Sequence, residues 1–206
     1  MADRKFGFET QCLHSGQMPD TTTGARAAPI YQTTSYVFDD SDHAASLFNL
    51  QTFGNVYSRM TNPTNAMVEE RLATLEGGRA GVVVGSGMAA QMTALLTLLE
   101  AGDELVSSST LYGGTYSQFD SGFRRFGLAT HFVDSEDPQN FARAITPKTK
   151  ALYAETIGNP LNNVLDITAV ADIAHNAGFR WSSTARLRLP TCVGPLNTGP
   201  TLSFIH

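Results

Sequence analysis

Val82-Val83-Val84-Gly85-Ser86-Gly87-Met88-Ala89-Ala90 is the stretch on which the rest of the chain turns. Three β-branched residues run into a glycine turn, and an apolar helical stretch, Met88 to Leu99, leaves it. The pattern predicts a buried strand over 82–84 feeding a helix. Glycines let backbone approach a ligand closely, and the free amides and dipole at a helix start favour an anion such as phosphate. The turn therefore reads as a phosphate cradle. A glycine turn that only packs helix on strand would look the same at this point.

Working outward, the same alternation repeats. Asn65 to Leu75 reads as a helix with Met67, Val68, Leu72 and Leu75 on one face, closed by Gly77-Gly78. After the turn come strand Glu104–Val106, helix Gly114–Phe123, strand Ala129–Val133, helix Pro138–Ile145, strand Lys150–Ala154 and helix Thr168–Ala177. Strands separated by helices at this spacing predict an α/β fold with a mostly parallel sheet and helices on both faces. Residues 1–60 read as an arm with little core of its own and one short helix around Asp42 to Leu50.

Composition places the chain among globular proteins. It has 206 residues, 42% apolar and 16% charged, with a formal charge of −5, which argues against nucleic acid or an anionic membrane as the main partner. The two cysteines, Cys12 and Cys192, make no disulfide framework, and a cytoplasmic location is expected. Neither a signal peptide nor a membrane span is expected from the polar start and the short apolar runs. His14, His43, His131 and His175 follow no metal-ligand spacing, so no metal site is expected.

Three further clusters surround the glycine turn. In Asn55-Val56-Tyr57-Ser58-Arg59-Met60-Thr61-Asn62-Pro63-Thr64, Tyr57 and Arg59 stand two apart on extended chain and hence on one side, a phenol and a guanidinium suited to phosphate. A solvated Arg beside a packed Tyr is the alternative. Leu111-Tyr112-Gly113-Gly114-Thr115 puts a ring at the carboxyl end of a strand, where open parallel sheets bind ligands; Tyr112 can stack on a planar group or fill the core. Glu155-Thr156-Ile157-Gly158-Asn159-Pro160 follows a strand, with Asn159 restricted by the proline after it. The Gly85–Ala90 letters also fit a dinucleotide fingerprint, but that class wants an acid at the end of the next strand. Ser107-Ser108-Ser109 stands there instead.

Taken in order, with Leu13-His14-Ser15-Gly16, Pro29 to Tyr36 and Leu75-Glu76-Gly77-Gly78, these clusters resemble the pyridoxal-phosphate enzymes of cysteine and methionine metabolism from about Thr10 to Phe179, and most of all the branch acting on O-acetylhomoserine. The resemblance implies the large domain of an aspartate-aminotransferase-like (fold type I) enzyme over 61–179. It implies pyridoxal 5′-phosphate (PLP) as cofactor, with Ser86 and the amides of Gly87 and Met88 on its phosphate. Tyr112 would stack on the ring, and Asn159 would lie near the phenolic oxygen or the substrate carboxylate. Tyr57 and Arg59 would reach the phosphate of a neighbouring subunit, so a homo-oligomer with shared sites is implied. The implied reaction replaces the γ-acetoxy group of O-acetylhomoserine with sulfide or a thiol, giving homocysteine or methionine.

Two family elements are missing. One is the aspartate of Val-Asp-Asn/Ser-Thr-Phe; the other is the lysine of Ser-x-Thr-Lys, which anchors the cofactor covalently and moves the α-proton. The chain's lysines are Lys5, Lys148 and Lys150, none in that context, so the chain is expected to be inactive alone. Residues 180–206 carry neither helical nor strand periodicity and are expected to be an out-of-frame tail without native structure. Loss of one base at Arg180 accounts for this. Read in the restored frame with suitable synonymous codons, the tail becomes Pro-Leu-Val-Val-Asp-Ser-Thr-Phe-Ala-Ser-Pro-Tyr-Leu-Cys-Arg-Pro-Ile-Glu-His-Gly-Ala-Asp-Ile-Val-Ile-His-Ser, which carries the missing aspartate in register. The other expectation is a non-catalytic remnant that pairs with an intact homologous subunit.

Overall fold

The computed structural model describes residues 6–178, 180–185 and 201–205, the last two segments by their backbone. Lys5, Phe179, Cys192 and the tail calls on 186–200 and His206 lie outside the described residues. The chain divides into two compact units, Met1–Val83 and Val84–His206.

The first unit holds helices α1 (Phe8–His14), α2 (Ser41–Phe48) and α3 (Pro63–Glu76). Asp40 caps α2 through the His43 N–H, and Asn62 caps α3 through the Thr64 N–H with Pro63 at the first helical position. Gly77 ends α3 at φ 67°, a left-handed conformation that costs glycine little. The predicted apolar face of α3 is nowhere fully buried, and Val68 is exposed. Helix α1 was not expected from the sequence.

The expected strand at 82–84 does not form. The segment has no ladder partner among the described strands, the Val83 N–H donates to Glu69 Oε1 at 2.8 Å, and Val82 is 80% exposed. An apolar run becomes a strand only with a ladder partner, and none of the strands among the described residues pairs with it.

The second unit follows the predicted rhythm. Its elements are α4 (Gly87–Leu98), β1 (Glu104–Ser108), α5 (Gly113–Ser117), β2 (Ala129–Val133), α6 (Gln139–Ala144), β3 (Thr149–Glu155), α7 (Ile167–Asn176), β4 (Arg180–Ala185) and β5 (Thr201–Ile205). All neighbours pair in parallel in the order β2-β1-β3-β4-β5. The helix expected over 114–123 is broken into α5, a π-helical turn Gln118–Gly122 and a 3-10 turn Phe123–Phe126. Alternation along the strands sends side chains to two cores. Leu105, Ala151 and Tyr153 pack with Leu95, Phe119 and Phe123 on one face; Val106, Leu152 and Ala154 pack with Phe141, Val170 and Ala174 on the other. The sheet is thus covered on both faces.

From Arg180 the sequence predicts no strand, yet the backbone of β4 pairs with β3 and that of β5 with β4. Ladder bonds are made by backbone groups, so the open edge of β3 can be met by a segment whose side chains lack strand alternation.

Candidate active site

Helix α4 begins where the phosphate cradle was predicted. Ser86 is its N-cap in extended conformation, and its Oγ accepts the Ala89 N–H at 3.1 Å. The Ala90 N–H bonds to the Ser86 carbonyl. The N–H groups of Gly87 and Met88 are therefore the orphan donors of the first turn, and the Ser86 hydroxyl still has its proton to give. Hydroxyl and amide donors at the positive end of a 12-residue helix make a donor set that fits a phosphate.

The short Leu99–Asp103 connection runs from α4 into β1, so the start of α4 lies toward the carboxyl ends of the strands. Tyr112 follows β1 at the same end. The residue is 40% exposed, so it does not fill the core. Its backbone N–H donates to Glu155 Oε1 at 2.9 Å, tying the loop after β1 to the end of β3. Gly114 lies under the ring: a Cβ there would stand 2.7 Å from Tyr112 Cε1.

Asn159 is half-buried on the loop after β3, and its bond to Pro160 is cis. That loop is held from behind. The Gly158 N–H bonds to the Asn163 carbonyl, while Asn163 Nδ2 reaches Ser135 Oγ at 3.2 Å and Thr110 Oγ1 at 3.4 Å. Ser108 Oγ meets both Thr110 Oγ1 at 3.0 Å and Ser135 Oγ at 3.2 Å. Hydroxyls from the ends of β1 and β2 thus carry the Asn159 loop.

Tyr57 and Arg59 belong to the first unit. Both are exposed, and the Arg59 guanidinium lies 5.5 Å from the Tyr57 ring centroid. Their loop is pinned to the segment before it: Ser35 bridges Tyr57, the Ser58 N–H bonds the Thr34 carbonyl, Ser58 Oγ donates to the Thr33 carbonyl, and Asn62 Nδ2 bonds the Tyr31 carbonyl. The same unit holds a separate cleft of about 820 Å³ lined by residues that include Phe6, His14, Tyr31 and Met67.

Two groups important to this geometry were not singled out from the sequence as site residues, the Glu155 carboxylate and Gln91. Glu155 ends a buried strand, and a buried acid at a strand's carboxyl end was the available signal. Gln91 had a weaker one, a polar residue one turn before Leu95 on the core face of α4. Among the described residues no group of three acids, histidines or cysteines could hold a metal, and no helix is long and apolar enough to cross a membrane.

The sequence profile of the Cys/Met metabolism PLP-dependent enzymes matches residues 9–200. The chain belongs to that family. It is 52% identical over 196 residues to the O-acetyl-L-homoserine sulfhydrylase of Leptospira meyeri, covering 95% of this chain and 44% of that protein. It is 52% identical over 171 residues to the homocysteine synthase of Schizosaccharomyces pombe, covering 83% of this chain and 40% of that protein. A crystal structure from Campylobacter jejuni, described as a possible O-acetylhomoserine (thiol)-lyase with N′-pyridoxyl-lysine-5′-monophosphate, superposes with a TM-score of 0.91 at 35% identity, over 97% of this chain and 49% of that one. The chain spans less than half the length of these relatives. Family and superposition agree with the predicted fold type I architecture and with PLP as the family's cofactor.

Proposed function

We propose that this chain is part of a PLP-dependent transferase that replaces the γ-acetoxy group of O-acetylhomoserine with sulfide or a thiol, forming homocysteine or methionine. The carrying observation is the start of α4, with Ser86 and two orphan amides at the sheet end that also bears Tyr112 and Asn159. Ser86 Oγ and the Gly87 and Met88 amides hold the phosphate, Tyr112 stacks on the ring, and Asn159 contacts the ring oxygen or the substrate carboxylate. Tyr57 and Arg59 serve the phosphate of a neighbouring subunit in a homo-oligomer. The cofactor supplies an electron sink for breaking bonds at the α-carbon. The donors present fit its phosphate and ring; the lysine that would anchor it is absent from this sequence.

The 206-residue chain is accordingly inactive by itself. Residues 1–60 form the intersubunit arm, 61–179 the partial PLP-binding domain, and 180–206 an out-of-frame tail. The β4 backbone supports that last reading: a strand lies where the restored frame has Pro-Leu-Val-Val-Asp-Ser and the displayed side chains have no strand pattern. Pro190, Pro195 and Gly199 read the same in both frames, which lets family similarity extend into the tail.

Assay of the purified chain with PLP, O-acetylhomoserine and sulfide is expected to yield no homocysteine. A version with the base restored at codon 180 and the open frame continued is expected to be active. Homocysteine from the 206-residue chain would overturn the reading.

A second reading is favoured by the exposed apolar residues of the first unit, among them Ile30, Val37, Leu50 and Phe53. On this reading the chain is a non-catalytic remnant that pairs with an intact homologous subunit. Co-expression with a tagged full-length relative and recovery of the untagged chain would support it, and recovery of the relative alone would dismiss it.

A further inference from the structure

Behind the start of α4 lies a buried polar cluster centred on Gln91, which is 3% exposed. Gln91 Oε1 accepts the Tyr153 hydroxyl at 2.8 Å and the Thr115 hydroxyl at 3.3 Å. Its Nε2 donates to Gln118 Oε1 at 2.6 Å and lies 3.3 Å from Met88 Sδ. A primary amide has two donor and two acceptor positions, so every one is engaged. The Met88 thioether can only accept, so the nitrogen of the amide faces it and the oxygen faces the hydroxyls of Tyr153 and Thr115.

The partners come from the elements that carry the proposed cofactor contacts. Met88 supplies one of the two orphan amides of α4. Thr115 lies three residues after Tyr112, in the helix that Tyr112 begins. Tyr153 lies two residues before Glu155, whose carboxylate takes the Tyr112 N–H. Gln118 opens the π-helical turn after α5, an irregularity of the kind that clusters at functional sites.

One turn further along the same face of α4 stands Leu95, wholly buried among Phe119, Phe123 and Tyr153. A leucine or methionine at 91 would supply packing of the same kind. The amide adds directional bonds, at the desolvation cost of a buried polar group, and a fully satisfied network holds its members at defined separations.

We infer that Gln91 is a positioning residue, which sets the separation between the phosphate-holding start of α4 and the ring-stacking Tyr112. The inference rests on the cofactor site proposed above. A ligand that spans both contacts should feel the loss of Gln91, whereas a ligand using either contact alone should not.

Three probes separate these cases by equilibrium dialysis against the 206-residue chain: inorganic phosphate, pyridoxine, and pyridoxine phosphate, which joins ring and phosphate without an aldehyde to react with lysine. Gln91→Met is expected to weaken pyridoxine phosphate about tenfold while leaving phosphate and pyridoxine within about twofold. If Gln91→Met does not fold by circular dichroism, the double variant Tyr153→Phe, Thr115→Val carries the test, since it removes both donors to Oε1 with Gln91 in place. The same selective loss is expected from it. Equal weakening of all three probes, or none, would overturn the inference and leave the cofactor site standing. Failure of the parent chain to bind any probe would overturn the cofactor site and the inference together.

Discussion

The backbone N–H of Tyr112 donates to Glu155 Oε1 at 2.9 Å, across the carboxyl ends of β1 and β3. Glu155 is buried, and the bond ties a strand-end side chain to the backbone of Tyr112, whose ring is proposed above to stack on the cofactor. Removing a buried acceptor leaves its donor unsatisfied, which costs about 1–3 kcal/mol. Glu155→Ala is therefore expected to lower the unfolding free energy by about 1–3 kcal/mol in urea denaturation. Glu155→Gln keeps an acceptor and should lose less. Equal stability of Glu155→Ala and the parent would show that the Tyr112 loop does not depend on this bond.

Gly158 makes a second test of the same end of the sheet. A Cβ there would fall 2.2 Å from Asn163 Oδ1 and 2.8 Å from Thr110 Oγ1. Asn163 cannot simply swing aside, because its Nδ2 is tied to Ser135 and Thr110. Gly158→Ala should cost about 1–3 kcal/mol of stability, the usual range for overpacking a closed site, and lower the melting temperature accordingly. Gly158→Ala combined with Asn163→Ala opens the space and should recover part of the loss. A melting temperature unchanged in the single variant would mean that the Asn159 loop yields freely.

Much of this was readable in the residues. Strands β1, β2 and β3 and helices α4 and α7 carry their burial in their spacing, as Leu105/Val106 and Leu152/Tyr153 show by pointing to opposite cores. The helix start at Ser86 is legible because serine is a favoured N-cap and an apolar helical run follows it. Val82–Val84 misled because apolar content announces burial but says nothing of a ladder partner. Helix α1 was missed because it buries none of its residues, so no apolar stripe marks it. Gln91 was passed over because its role depends on Tyr153 and Thr115, distant in sequence and brought together only by the sheet.

At the opposite end of the strands, Glu104 Oε2 accepts the Thr146 hydroxyl at 2.7 Å and pairs with His131 Nε2 at 2.9 Å. The Thr146 bond, followed by the His131 bond, holds the Glu104 carboxyl below the ordinary glutamate range. A carboxyl whose folded value is depressed adds stability above its unfolded value, about 4.3, and loses it as pH falls through the folded one. Comparing Glu104→Gln with the parent by urea denaturation at several pH values should show a gap at neutral pH that closes in acid. A gap of constant size down to strongly acid pH would assign the effect to the shape of the residue and not to its charge.

Ser86 is the N-cap of α4 and, on the function proposed above, a phosphate ligand; its substitutions separate the two roles. As N-cap, its Oγ accepts the Ala89 N–H, and Ser→Ala at such a position costs about 1 kcal/mol, whereas glycine costs only a few tenths. As a phosphate ligand it gives a hydroxyl proton, which alanine and glycine lack equally. Ser86→Ala should therefore lose stability while Ser86→Gly nearly keeps it, yet both should bind inorganic phosphate more weakly and to the same degree. Ser86→Thr retains hydroxyl and cap and should match the parent in both measurements. If phosphate affinity instead followed stability across the three variants, Ser86 would act on the anion only by holding the helix start, and the Gly87 and Met88 amides would form the cradle by themselves.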